Sequence, residues 1–164
     1  MSKLRSPQFG AILYRSTELI SVQGAAVFDL LGIGLHANKI SLVLAINAKG
    51  ALSSTEISQH TGISRQLIES RLKGSVADGF FIQRQDPKDS RKKIYDFAEG
   101  SKAEVARIVS IMKDFEQVYA ALWDEIGIDL EEGIKRMERA LSRTSLEHRL
   151  CQEFPDYSDQ MAQE

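Results

Sequence analysis

The hydrophobic positions of this 164-residue chain change period along its length, and the changes mark out its organisation. In residues 18–31 the apolar side chains Leu19, Ile20, Val22, Ala26, Val27, Leu30 and Leu31 cover much of a helix circumference. That spread predicts a helix buried on several sides, ended by Gly32 and Gly34. Residues 1–17, with Pro7 and Gly10, carry no such pattern and are expected to be loosely ordered. Ile40, Val43, Leu44 and Ile46 predict a second helix over 37–48, closed by Gly50. From Ser101 the step becomes regular: Val105, Ile108, Met112, Phe115, Tyr119, Leu122 and Ile126 recur every three or four residues. This period lays one apolar seam along a long helix, which suits either intramolecular core or a partner surface. Gly127-Ile128-Asp129 interrupts it. Leu130, Ile134, Met137 and Leu141 then resume the spacing in a last helix over 130–152, and the polar tail 155–164 is expected to fray.

Between these helical flanks the punctuation is finer. Ser53, followed three residues later by Glu56, is a capping-box pattern. The short helix it starts contains Ile57 and stops near His60. Thr61-Gly62-Ile63 is a tight turn. Ser64 caps a further helix in which Ile68, Leu72 and Val76 fall at i, i+4 and i+8 on one face, ending near Asp78-Gly79. A short helix, a turn with glycine and a second capped helix make a helix-turn-helix. After Gly79 residues 80–85 read as a strand, 86–91 as a strongly punctuated turn, and 92–97 as a return strand with Ile94 and Phe97 packing inward. A β-hairpin directly after a helix-turn-helix is a wing.

Charge adds a direction to this frame. The formal net charge is −2, which excludes a protein coated in positive charge. The distribution is uneven, however. Between Gly62 and Tyr95 stand eight basic residues: Arg65, Arg71, Lys73, Arg84, Lys88, Arg91, Lys92 and Lys93. Only four acids, Glu69, Asp78, Asp86 and Asp89, oppose them, so this stretch carries +4 and the rest of the chain −6. One basic face on an acidic body is what phosphate neutralisation requires. Enzyme signals are absent: there is no phosphate loop, no Gly-x-Ser-x-Gly and no His-Glu-x-x-His. Gly32-Ile33-Gly34 is too short for a nucleotide loop and follows a helix. A non-enzyme without cofactor or metal is therefore expected. The single cysteine, Cys151, allows no intramolecular disulfide. With no apolar run near the ~18 residues of a membrane span and no signal-peptide pattern, the expected setting is cytoplasmic.

Residues 52–100 resemble the MarR-type (multiple antibiotic resistance) winged-helix regulators. The similarity lies in Leu52-Ser-Ser-Thr-Glu-Ile57, Thr61-Gly-Ile-Ser-Arg65, Asp78-Gly-Phe-Phe-Ile82 and Asp86-Pro-Lys-Asp-Ser-Arg-Lys-Lys93. The wing is its most specific part, since family wings commonly read Asp-Pro-x-Asp-x-Arg. The chain departs from the pattern at Arg71 and Ser75, where family recognition helices usually hold apolar residues, which implies a helix rotated slightly on its core. It departs again at Phe97-Ala98, where Leu-Thr is usual. The resemblance implies a mainly α fold: a winged helix-turn-helix lobe over 36–100 with a small hairpin wing, and terminal helices, 1–35 and 101–164, that interlock two copies in a symmetric homodimer. It also implies double-stranded DNA as partner, a pseudo-palindromic operator and a small-molecule effector bound between body and lobe.

Recognition helices enter the major groove with their N-terminal half. Ser64, Arg65, Gln66, Glu69, Ser70 and Lys73 lie opposite or beside the apolar stripe and are the candidate contacts on the helix. Arg65 matches guanine and Gln66 adenine, while Ser64, at the helix N-terminus, suits a phosphate. Glu69 either accepts from cytosine or pairs with a basic neighbour. On the wing the candidates are Arg84, Lys88, Asp89, Arg91, Lys92 and Lys93. Arg91 at the tip fits a narrow A·T minor groove, with Asp89, as the resemblance implies, holding Arg91 or the turn. Lys92 and Lys93 point to opposite faces of a strand, so at most one meets the groove directly. Two other readings are a winged-helix protein-interaction module and a metal or redox sensor using His148 and Cys151, which are spaced i, i+3.

Overall fold

The structure is a computed structural model that describes residues 8–161. It divides after Met112 into two compact units, each taken here by itself. In the first, α1 (Phe9–Leu30) leads through a single 3-10 turn (Ala37–Lys39) into α2 (Ile40–Lys49), α3 (Ser54–Thr61) and α4 (Arg65–Ala77). Strands β1 (Phe81–Gln85) and β2 (Lys93–Phe97) follow, and then α5 (Lys102–Ile126), whose first turns complete the unit. The fold is mainly α with one hairpin, as the pattern of periods predicts.

The core explains this order. Leu42, Val43 and Ile46 of α2, Ile57 of α3, Ile68 and Leu72 of α4, Phe81 of β1 and Ile108 of α5 are fully or almost fully buried together. The strands pair antiparallel from Phe81 opposite Phe97 to Gln85 opposite Lys93. Their base is wedged by Phe80, Phe81 and Phe97, with ring centroids 5.1 to 6.4 Å apart. Leu52 adds a short bridge to the wing: its N–H donates to the Tyr95 carbonyl at 3.1 Å and its carbonyl accepts from the Tyr95 N–H at 2.8 Å. The loop after α1 is tied to α5. Glu104 Oε1 accepts from the N–H groups of Gly34 and Leu35 (2.8 and 3.3 Å), and Arg107 Nη2 donates to the Leu31 carbonyl at 2.6 Å.

The apolar stripe of α4 runs differently from expectation at its end. Ser75 is fully buried beside Ile68 and Leu72, while Val76 is only partly so. The Ser75 hydroxyl is satisfied within the helix, donating to the Arg71 carbonyl at 3.0 Å, so a polar residue fills a core position at little cost.

Three expectations at the ends need correction. First, α1 begins at Phe9, not near Glu18. Gly10 lies in its first turn, where it breaks little, and the Ser16 and Thr17 hydroxyls donate to carbonyls four residues back. Residues 1–7 lie outside the described residues. Nor is α1 buried on several sides by this chain: Phe28 is its one buried residue, while Leu19, Ile20, Val22 and Leu30 are at least half exposed.

Second, the helix expected over 130–152 is two, α6 (Leu130–Arg143) and α7 (Leu146–Glu153). Thr144 turns extended and Ser145 caps α7 by accepting from the His148 N–H, using the strong preference of serine for that position. Third, residues 156–161 of the expected frayed tail form α8 (Asp156–Met161).

In the second unit the seam of α5 continues as a ring ladder, Phe115 to Tyr119 at 6.1 Å and Tyr119 to Trp123 at 5.7 Å. No residue from 113 to 158 is buried. The seam is therefore divided: Val105 and Ile108 belong to the core of the first unit, Met112 packs against it, and none of the later seam residues is buried.

Gly74 sits inside α4 with room for a side chain, since an added Cβ would meet only the Lys39 Nζ, at 3.8 Å. Gly74→Ala is expected to stabilise the lobe by about 0.5–1 kcal/mol through helix propensity, read as a rise in the urea midpoint at unchanged slope.

Candidate nucleic-acid interface

The local sequence sets the aim of α4. Ser53 closes the capping box with Glu56, so α3 starts at Ser54. Gly62 ends α3 at φ +71°, a left-handed conformation that glycine adopts without strain. Ser64 then caps α4 by accepting from the Leu67 N–H at 3.4 Å. With Ile68 and Leu72 buried, Gln66, Ser70 and Lys73 lie opposite the stripe and Glu69 beside it, while Ser64 and Arg65 stand at the helix start, all six exposed. Leu67 is exposed as well, an apolar side chain on the first turn among the polar candidates.

The wing turn is built by two aspartates. Asp86 Oδ1 accepts from the Lys88 N–H at 2.8 Å. Asp89 Oδ1 accepts from the Arg91 N–H at 3.0 Å and from its Nε at 3.2 Å. The local carboxylates thus hold the turn in the manner of Asx-turns and hold Arg91 as well, while the rest of the Arg91 side chain stands out in solvent, 91% exposed.

Between α3, α4 and the wing lies a cleft of about 400 Å³, lined by residues 53–56 together with Arg65, Glu69, Arg91, Lys92, Lys93 and Tyr95. Five of the twelve candidate residues therefore share one cleft. Gln66, Ser70 and Lys73 are exposed on α4, and Lys88 at the turn, outside it. Arg84 faces across the hairpin, its Nη2 2.6 Å from Asp96 Oδ2. Lys92 points inward. Its ammonium donates to Glu56 Oε1 at 2.8 Å and lies 3.5 Å from Asp86 Oδ2, whereas Lys93 is exposed. Thr55 and Tyr95 line the cleft without having been singled out from the sequence. Tyr95, whose hydroxyl donates to Gln83 Oε1 at 3.2 Å, reads only as one more strand residue.

The two cleft arginines are held alike. Arg65 Nε donates to Glu69 Oε1 at 2.8 Å and Arg91 Nε to Asp89 Oδ1. Gripped at Nε, each guanidinium keeps its terminal Nη pair for a ligand, the geometry that bidentate recognition needs. Arg84 is gripped at the terminal edge itself.

The acids around the cleft stay ionised at neutral pH. Lys92, with the amide and hydroxyl of Ser53, holds the Glu56 carboxyl down to about 2. Arg65, and then Ser54, lowers Glu69, and the Lys88 amide, with Lys92 behind it, lowers Asp86. Lys92 is raised in turn, chiefly by Glu56.

No family model matches the chain, and no curated protein matches it. Solved structures do. A transcriptional repressor, CouR, bound to a 23-mer DNA duplex, aligns over 86% of this chain and 99% of its own at 19% identity, TM-score 0.59. Apo MarR from E. coli aligns over 81% and 98% at 15% identity, TM-score 0.58. The PcaV transcriptional regulator from Streptomyces coelicolor, in complex with its natural ligand, aligns over 85% and 99% at 16% identity, TM-score 0.63. The chain has the MarR winged-helix fold. Within that fold the cleft lies between α3, α4 and the hairpin. Among the described residues no group of three or more His, Cys, Asp or Glu is placed to hold a metal, and no helix is long and apolar enough to cross a membrane.

The depressed Glu56 pKa fixes a pH dependence. Its value in the fold, about 2, lies below the ordinary 4.5, so the stability it contributes is complete above pH 4.5 and is lost as pH falls through about 2. Between those limits the wild type is expected to lose more stability than Glu56→Gln, checked by urea unfolding at stepped pH.

Proposed function

We propose that this chain is a sequence-specific DNA-binding transcriptional regulator, acting as a homodimer on a pseudo-palindromic operator. The observation that carries the reading is the cleft itself: two arginines, one from the recognition helix and one from the wing tip, each anchored at Nε with the terminal edge available. Arg65 and Gln66 read base edges in the major groove. Arg91 enters the adjacent minor groove, and Lys73, Lys88 and Lys93 neutralise phosphates. Ser64, at the N-terminus of α4, suits a phosphate and Ser70 stands on its exposed side, Glu69 positions Arg65, and Asp89 positions Arg91. Arg84 and Lys92, already paired within the lobe, contribute less directly. The DNA duplex bound by CouR supports the partner.

The homodimer is supported by what this chain leaves uncovered. Along α1, Leu19, Val22 and Leu30 are exposed, and the second unit exposes Val118, Ile128, Leu146 and Phe154. A helical unit with no buried residue from 113 to 158 cannot gain enough from apolar burial to offset chain entropy by itself. Large apolar side chains left exposed in each unit are the kind of surface a partner covers, and a second copy interlocked through residues 1–35 and 101–164 would cover them. The natural ligand of PcaV supports a small-molecule effector for this chain too. A tenfold loss of DNA affinity would require only about 1.4 kcal/mol of coupling.

Selection on random duplex DNA, with mass by light scattering, tests the reading. The expected result is an enriched pseudo-palindrome bound by a dimer. Failure to enrich any sequence would instead favour a protein-interaction module. On the selected duplex, Arg65→Ala and Arg91→Ala should each weaken binding about 5- to 150-fold, the range of a lost bidentate contact. Arg84→Ala should cost less than either, and Lys93→Ala should lower the salt slope by about one unit.

A further inference from the structure

We propose that Glu56 is a positioning residue whose carboxylate bolts the wing to the start of α3, so that Lys92 serves as a strut within the lobe and not as a phosphate contact. The inference rests on the DNA-binding reading above for its consequence, but its structural core does not. Both Glu56 oxygens are engaged. Oε2 accepts from the Ser53 N–H at 2.8 Å and the Ser53 hydroxyl at 2.7 Å, and Oε1 accepts from Lys92 Nζ at 2.8 Å. One side chain therefore closes the capping box of α3 and grips the wing 36 residues later. Ser54, which follows Ser53, extends the chain of contacts: its hydroxyl donates to Glu69 Oε1 at 3.1 Å, the same oxygen that takes Arg65 Nε at 2.8 Å. A polar path thus runs from the wing through the N-terminus of α3 to the arginine of the recognition helix. Arg65 and Arg91 reach one duplex together only if helix and wing keep a fixed spacing, and Glu56 sits between them.

The position of Lys92 favours a strut over a DNA contact. Its ammonium is spent on Glu56 and Asp86, and its side chain is 35% exposed against 91% for neighbouring Arg91. The two roles predict effects of opposite sign. By charge alone, Glu56→Gln removes a negative group from a DNA-facing cleft and should tighten binding. As a bolt, its loss frees the wing and should weaken binding. Glutamine still serves the capping box, so the substitution cuts the link to Lys92 while leaving α3 started.

The test combines Glu56→Gln, Lys92→Met and the double variant. In the DNA-free protein, exchange of the Asp86 amide, which donates to the Lys92 carbonyl at 2.8 Å, should accelerate by about 5- to 10-fold in each single variant and no further in the double. Core amides such as that of Leu72 should be unchanged, and Lys92→Arg should restore the wild-type rate. On the selected duplex both single variants should bind about 5- to 10-fold more weakly at an unchanged salt slope. Unaltered or additive wing exchange overturns the proposal. So does tighter binding by Glu56→Gln, or a loss of about one unit of salt slope in Lys92→Met, which would mark Lys92 as a phosphate contact. A wild type that binds no duplex refutes the DNA reading alone, because the exchange experiment decides the strut without DNA.

Discussion

Ile68, Leu72 and Ser75 lie fully buried along one side of α4, and this contact determines what the lobe can present to a partner. Because the helical period is fixed, burying that stripe turns Gln66, Glu69, Ser70 and Lys73 outward, while Arg65 is exposed as the first residue of the helix. Burial of a large aliphatic side chain stabilises by about 1.5–3 kcal/mol, whereas an exposed ion pair contributes about 0–1. The aim of α4 is therefore set by apolar packing against α3 and β1 within the shared core. The Arg65–Glu69 ion pair on its outer side only orients a guanidinium on a platform already in place. Ser75 shows how strict the constraint is: a hydroxyl occupies a core position because its own helix supplies an acceptor.

The outer face is less basic than its composition suggests. Arg65, Arg84, Arg91 and Lys92 each have a carboxylate within 3.2 Å. Pairing of this kind costs attraction for phosphate, yet it holds long side chains that would otherwise lose rotamer freedom on binding. The atom that is gripped separates the roles. Nε anchoring leaves a bidentate edge on Arg65 and Arg91, while Arg84 and Lys92 spend their terminal donors inside the lobe.

Much of the lobe was legible in the sequence because its signals are local. Ser53 with Glu56, Gly62, Ser64 and Gly79 each act through backbone groups a few residues away, so the helix-turn-helix and its boundaries follow from spacing. The wing turn, written by Asp86 and Asp89, is equally local. What escaped is non-local or cooperative. The Leu52 bridge to Tyr95 and the inward turn of Lys92 join residues some 40 apart in the chain, and nothing in either neighbourhood announces them. The break at Thr144 depends on a single capping choice at Ser145 that periodicity does not weigh, and the start of α1 at Phe9 carries no side-chain cap that the sequence could announce. The seam of α5 was ambiguous for a physical reason, since its first turns meet the lobe core and its later turns do not.

The central claim is that α4 and the wing engage one duplex as a unit, twice per dimer. A hydroxyl-radical footprint on the selected operator tests it most directly. The account predicts two protected half-sites about one helical turn or a multiple of it apart, each with a flanking minor-groove protection that disappears in Arg91→Ala while the rest remains. A footprint without two-fold symmetry, or one whose flanking protections survive the loss of Arg91, would contradict it.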